Sequence, residues 1–178
     1  MTKVSVKIPA TSANLGPGFD TLGMALSFYD NYAAEVIGSG LEIEVVGEGE
    51  KDIARDETNL IYSTIAFVFA KFNKVVPPLR ITCHNNIPHG RGMGSSGAAV
   101  AGGVMLAAGL LLPEITLTEQ QLLDFATEIE GHPDNVAPAL FGGLTIAWND
   151  ESGPHHKKLT VHRGVSPLVL VPPNQMST

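Results

Sequence analysis

Residues 88–99 read Pro88-His89-Gly90-Arg91-Gly92-Met93-Gly94-Ser95-Ser96-Gly97-Ala98-Ala99. Glycine tolerates positive φ and lets a ligand approach the main chain closely. The run passes straight into a small, apolar helical segment from Ala98 onward. Ser95 and Ser96 then fall where that helix begins, so free amides and the positive end of the helix dipole converge on one spot. Such a place holds phosphate without net positive charge. A serine hydroxyl there can ligate Mg2+, and Arg91 can add one cation. The run is not a Walker loop, because no Gly-Lys-Ser/Thr follows, and it does not have the Gly-x-Gly-x-x-Gly form of a dinucleotide turn. The bland alternative is a glycine-rich turn packed under a helix. Gly-x-Gly-x-Gly-Ser-Ser opening a helix favours the phosphate site.

That reading also fits the charge balance. Eleven Lys plus Arg against eighteen Asp plus Glu give a net charge of −7 on 178 residues. No basic run is present, so nucleic acid and anionic membrane surfaces are excluded as expected partners. An anionic ligand must be held locally, by oriented amides. The chain is 44% hydrophobic, which rules out wholesale disorder. Its single cysteine, Cys83, excludes an internal disulfide framework and a cysteine-rich zinc site, and fits a reducing cytoplasm. Met1 to Ala10 alternates polar and apolar residues and does not read as a signal peptide. The longest apolar stretch, Ala98 to Leu112, is about fifteen residues and falls short of the roughly twenty that a membrane span needs. A soluble, cytoplasmic protein is expected.

Outward from the glycine-rich run, the pattern predicts a strand at Lys3–Ile8 ended by Pro9, then a Gly/Pro/Asn-rich loop through Asp20. Tyr32–Ile37 and Leu41–Val46 flank Gly38-Ser39-Gly40 and read as a hairpin. Gly47–Asp56 reads as an exposed charged loop. A helix opening at Thr58 carries Leu60, Ile61, Ile65, Phe69 and Phe72 on one stripe and stops at Pro77-Pro78. Leu79–His84 is a strand. Thr118 heads a helix to about Glu130, with Gln121 completing a capping box. Leu144–Trp148, Leu159–His162 and Leu168–Val171 are further strands. His155, His156 and His162 read as surface residues. Strands that fall partly in adjacent pairs favour an α+β layer fold over a doubly wound sheet.

Two other segments carry polar groups suited to a small ligand. Pro9 to Asp20 holds Asn14 and Asp20, an amide and a carboxylate that could meet a hydroxyl and an ammonium, although read alone they are better explained as satisfying turn amides. Glu128 to Asn135 places Glu130, His132, Asp134 and Asn135 at a break between helices, with Pro133 suited to a first turn. A carboxylate beside a phosphate loop can complete a Mg2+ shell. One His near one Asp is not zinc spacing.

Together, PATSANLGPGFDTLGMAL at 9–26, IPHGRGMGSSGAA at 87–99 and EGHPDNVAPALFGG at 130–143 resemble the homoserine kinase family of the GHMP kinase superfamily. The resemblance implies an α+β fold whose amino-terminal domain is like the second domain of ribosomal protein S5, followed by a ferredoxin-like domain. It implies a GHMP amino-terminal, ATP-binding domain over 1–165 and the start of a truncated carboxy-terminal domain at 166–178, where Ser177-Thr178 look like cap residues. It implies ATP-dependent phosphorylation of the L-homoserine hydroxyl, in threonine biosynthesis. Pro88 to Ala98 would wrap the ATP phosphates, with Ser96 and Glu130 on Mg2+. Asn14, Asp20, His132 and Asp134 would contact homoserine. Asn135 stands where sister kinases carry an aspartate thought to act as base, and a neutral amide cannot accept a proton. The resemblance therefore implies catalysis by positioning and charge neutralisation, with the proton passing late. Met93 stands where Leu is commoner and Gly97 where Ala is commoner. Homoserine kinases run well beyond 178 residues, so the chain reads as an amino-terminal portion. Its activity alone is in doubt, and bared apolar surface would favour a homodimer or aggregation. The alternatives are another small-molecule GHMP kinase, or an inactive fragment serving as a binding or assembly module.

Overall fold

A computed structural model describes residues 2–172 and 174. Two long strands, β1 (Lys3–Leu15) and β2 (Gly18–Val36), form an antiparallel hairpin that runs the length of the molecule. After them come β3 (Leu41–Gly47), α1 (Leu60–Lys71), β4 (Leu79–Asn85), α2 (Ser95–Leu111), α3 (Glu119–Glu130), α4 (Pro133–Phe141), β5 (Leu144–Asp150) and β6 (Gly153–Leu159). The sheet order is β3-β4-β2-β5-β6, with β1 on β2. This is the α+β layer arrangement that the sequence predicts.

β2 organises the sheet because it is long enough to serve two neighbours. Its far half, Asn31–Val36, pairs with β4, and Leu22–Met24 pairs with β5. The core lies between this sheet and the helices, around Ile65, Leu79, Ile81, Val100, Val104, Leu106 and Val136, all fully buried. The small residues of α2 are explained here. A Cβ at Gly102 would lie 2.4 Å from the Tyr32 ring, and one at Gly103 would lie 2.6 Å from Thr64. Only a helix this slim can sit against β2 on one side and α1 on the other.

Several expectations need correction. The first strand does not end at Pro9 but continues to Leu15, with register shifts between Pro9 and Thr11 and between Ala13 and Leu15. Proline is tolerated because β1 pairs only with β2, so its missing N–H interrupts no second ladder. The expected loop through Asp20 is mostly the tip of this hairpin, turning at Gly16-Pro17. Gly38-Ser39-Gly40 does not close a hairpin either. β4 lies between β2 and β3, parallel to β3 and antiparallel to β2, and the Ile37 N–H donates to the Pro78 carbonyl at 2.9 Å. The intervening α1 supplies the crossover that a parallel pair requires.

Helix α1 begins at Leu60, two residues after the predicted opening at Thr58. Asn59, not Thr58, caps it, its side-chain oxygen accepting from the Ile61 and Tyr62 amides. Helix α2 starts at Ser95, where the sequence places the two serines, ahead of the apolar segment from Ala98. The capping box at Thr118 and Gln121 is present on α3, and Pro133 opens α4 with His132 as its cap. The last strand is Gly153–Leu159, and residues 160–172 form neither helix nor strand. Leu159–His162 and Leu168–Val171 are therefore not strands. β propensity alone cannot hold a strand without a paired edge, and Leu168 and Leu170 are 88% and 86% exposed. The expected cap residues Ser177-Thr178 lie outside the described residues.

Candidate active site

The three segments, far apart in sequence, meet at one cavity of about 350 Å3. Ala13 and Asn14 of β1 form one wall, Gly90 to Gly97 another, and Glu130, His132 and Asn135 the third. The loop residue Gly94 caps α2 with φ 68° and ψ 31°, a left-handed turn that aims the first amides of the helix into the cavity. No side chain caps that end, so those amides and the dipole are available to an anion.

The loop is braced from both sides. The Thr11 amide donates to the Met93 carbonyl at 3.0 Å, and the Ala98 amide closes the first helical bond to Gly94 at 2.8 Å. Behind the loop, Asp30 is fully buried in an all-acceptor role. One oxygen takes the Asn86 and Ile87 amides at 2.6 and 2.8 Å, and the other takes the Tyr32 hydroxyl at 2.7 Å. Those two amides immediately precede Pro88, so a buried carboxylate anchors the start of the glycine-rich loop. Burial and this carboxylate push the Tyr32 phenol far up, and burial pushes the Cys83 thiol up to about 12.

Each expected site residue has a definite place. Gly90, Arg91, Gly92, Met93, Gly94, Ser95, Ser96 and Gly97 line the cavity. Ala98 is buried in the core, so it serves the loop through its backbone, and Pro88 is half-buried at the loop's entry. His89 faces a second, largely apolar cavity of about 250 Å3, alongside Ile53, Leu60, Cys83 and Ala99. Ser95 and Ser96 border both cavities.

On the opposite wall, Ser96 Oγ donates to Glu130 Oε2 at 3.1 Å. Burial raises the Glu130 pKa above the ordinary carboxylate value, while the Ser96 bond pulls the other way. Asp134 is fully buried and hydrogen-bonded through Oδ1 to His132 Nδ1, so it reaches the cavity only through that imidazole. Asn135 lies above the loop, its Oδ1 accepting from Thr11 Oγ1 at 2.9 Å. At the hairpin tip, Asn14 Oδ1 accepts from the Asp20 amide at 2.7 Å, and both residues have positive φ. Asp20 is exposed and does not line the cavity. Asn14 thus does what turn chemistry asks of it and also forms part of the wall.

Two residues of this architecture, Thr11 and Asp30, were not singled out from the sequence. Thr11 lies inside the quoted first segment, but a segment read as a loop gives no reason to expect an inward-facing hydroxyl. Asp30 lies in β2, two residues before the predicted Tyr32–Ile37 strand, in a stretch whose pattern assigns no element and gives no reason to expect an inward-facing carboxylate. The His155 and His156 rings are half-buried, stacked on Trp148 and Phe141.

With this geometry in place, residues 59–143 match the family model of the GHMP kinases N terminal domain. The fold and this match give the chain a GHMP kinases N terminal domain. Over its length the chain aligns with homoserine kinases. It is 58% identical to the homoserine kinase of Clavibacter michiganensis over 177 residues, covering 99% of this chain and 56% of that protein. The crystal structure of the Cytophaga hutchinsonii homoserine kinase superposes with a TM-score of 0.77 at 29% identity, covering 91% of this chain and 53% of that one. Mevalonate kinase from Methanococcus jannaschii shares the fold, with a TM-score of 0.65 at 14% identity over 89% of this chain and 56% of its own. The chain spans about half the length of the curated relatives it matches. Among the described residues, no helix is long and apolar enough to cross a membrane.

Proposed function

We propose that the chain forms the nucleotide-binding part of an ATP-dependent kinase that phosphorylates the L-homoserine hydroxyl. The observation that carries this reading is the cavity itself, where an uncapped helix N-terminus faces His132 and Asn135 from α4. A triphosphate would lie along Gly90 to Ser96, its charge met by amides and by Arg91, which is how an acidic chain holds a polyanion. The adjoining apolar cavity shares Ser95 and Ser96 and would take the nucleoside, whose base needs an apolar slot.

The Ser96–Glu130 pair suits Mg2+. Two hard oxygen donors stand together, and Glu130 is a partly desolvated carboxylate whose charge a cation would offset. Among the described residues no group of three or more His, Cys, Asp or Glu could hold a metal, as fits an ion that takes most of its ligands from phosphate and water. When bound, the ion would neutralise charge on the phosphates.

Homoserine would enter beside Asn14 and His132, with Asp20 reaching its ammonium from the hairpin tip and Asp134 orienting the His132 ring. Asn135 offers no proton acceptor, so the chain's residues would align hydroxyl and phosphate rather than deprotonate the hydroxyl early. The GHMP amino-terminal domain would span 1–165, with 166–178 opening a further domain. A cytoplasmic location and a homodimer belong to the same proposal. Coupled ADP release with homoserine, mevalonate and galactose offered in parallel tests it. Turnover on mevalonate but not on homoserine would overturn the substrate assignment.

A further inference from the structure

We propose that Thr11 is a positioning residue whose hydroxyl fixes the amide of Asn135 with its Nδ2 donors turned into the active-site cavity. The inference deepens the kinase reading and rests on it for the chemistry, though not for the geometry. Thr11 is fully buried, and its Oγ1 stands 2.9 Å from Asn135 Oδ1, across 124 residues of sequence. Its amide is already committed to the Met93 carbonyl, so a single residue of β1 grips both the phosphate loop and α4.

The hydroxyl has little freedom. A Cβ added at Gly94 would lie 1.9 Å from Thr11 Oγ1 and 3.3 Å from Asn135 Oδ1, so the loop backbone, the threonine oxygen and the amide are mutually in contact. On the far side, Asn135 Cβ would be 3.2 Å from a Cβ at Gly97. The Asn135 side chain therefore packs against the loop at Gly94 through its amide oxygen and against Gly97 through its Cβ.

A hydroxyl that donates to Oδ1 uses the amide's acceptor. What remains on the cavity side is Nδ2–H, a donor suited to the reacting hydroxyl oxygen or to a transferring phosphoryl oxygen. If the amide were free to flip, it would present an acceptor for half of the time and repel phosphoryl oxygens. Thr11 removes that choice. Misplacement of a positioning group by a fraction of an ångström to an ångström costs up to about a hundredfold in rate.

The test compares Thr11→Val, which keeps the shape and loses the hydroxyl, with Thr11→Ser, which keeps the hydroxyl. In the full chain, the side-chain amide NH2 pair of Asn135, identified by its loss in Asn135→Ala, is followed by 15N–1H NMR. The pair is expected at the same shift in the wild type and Thr11→Ser, and at a different shift in Thr11→Val. An unchanged pair in Thr11→Val overturns the proposal, whatever the reaction is. In steady-state assays, Thr11→Val is expected to lower kcat at least tenfold with KM for ATP and homoserine within about threefold, and Thr11→Ser to restore kcat to within about threefold. A Thr11→Val enzyme with wild-type kcat, or a loss that serine fails to rescue, also overturns it. If no homoserine turnover is seen in any variant while the NMR shift behaves as expected, the kinase reading fails and the clasp stands.

Discussion

Replacing Asp30 by alanine is the sharpest test of how this fold supports its glycine-rich loop. The carboxylate accepts from the Asn86 amide, the Ile87 amide and the Tyr32 hydroxyl, all within 2.8 Å, and none of its surface reaches solvent. Asp30→Ala leaves three donors without their acceptor, those of Ile87 and Tyr32 buried and that of Asn86 partly so. Each orphaned group costs about 1–3 kcal/mol, and relaxation brings the total to about 3–6 kcal/mol. Against a typical stability of about 5–15 kcal/mol, that is a large fraction. For a domain of this size, a loss near 4 kcal/mol lowers Tm by about 8–16 °C. Asp30→Asn keeps one acceptor oxygen for the two amides, and the Tyr32 hydroxyl can rotate to accept from the new NH2. Its expected loss is only about 1–2 kcal/mol. Urea unfolding followed by circular dichroism measures both, with Tyr32→Phe completing a double-mutant cycle. A loss below about 1 kcal/mol for Asp30→Ala, or equal losses for the alanine and asparagine variants, would refute the three-donor account.

Other substitutions probe the site more directly. Gly94→Ala forces a side chain into left-handed backbone against Thr11, and is expected to lower Tm by several degrees and to abolish the stabilisation that Mg·ATP gives in a thermal-shift assay. Ser96→Ala should weaken Mg·ATP use; unchanged kcat and unchanged Mg2+ dependence would remove that serine from the metal shell. Cys83 should resist a thiol reagent at pH 8 in the folded chain and react once urea is added, since it is buried and its thiol is pushed up to about 12. The same burial makes the fold sensitive to alkali. Cys83 and Tyr32 are held protonated when folded and titrate lower when unfolded. Stability is therefore fully present below about pH 9 and drains as the pH rises toward 12, which urea midpoints taken across that range would show.

Much of the chemistry was legible one segment at a time. Gly-Arg-Gly-Met-Gly-Ser-Ser opening a helix announces a turn with an uncapped helix start, because backbone freedom, free amides and dipole are all local properties. The Thr118–Gln121 box and Pro133 at the first turn of α4 are equally local. Strand partners were less legible. The alternating Leu41–Val46 run fits any edge, and the short Gly38-Ser39-Gly40 link points to a hairpin that β4 in fact displaces. The segment at Leu168–Val171 shows the same limit from the other side, with strand-like residues and no paired edge.

What the amino-acid order determined by itself, then, was the glycine-rich turn into α2 and the helix ends, where the deciding interactions span three or four residues. Tertiary structure alone decided which side chains face the cavity. It drew Thr11 up to Asn135, sank Asp30 beneath the loop, buried Asp134 behind His132 and left Asp20 at an exposed tip. The placements of Thr11 and Asp30 depend on strand register, and a one-residue slip in β1 or β2 would turn either group outward. Register is set by the packing of β2 against α2 and α4, a property of the assembled layers that no single stretch of chain encodes.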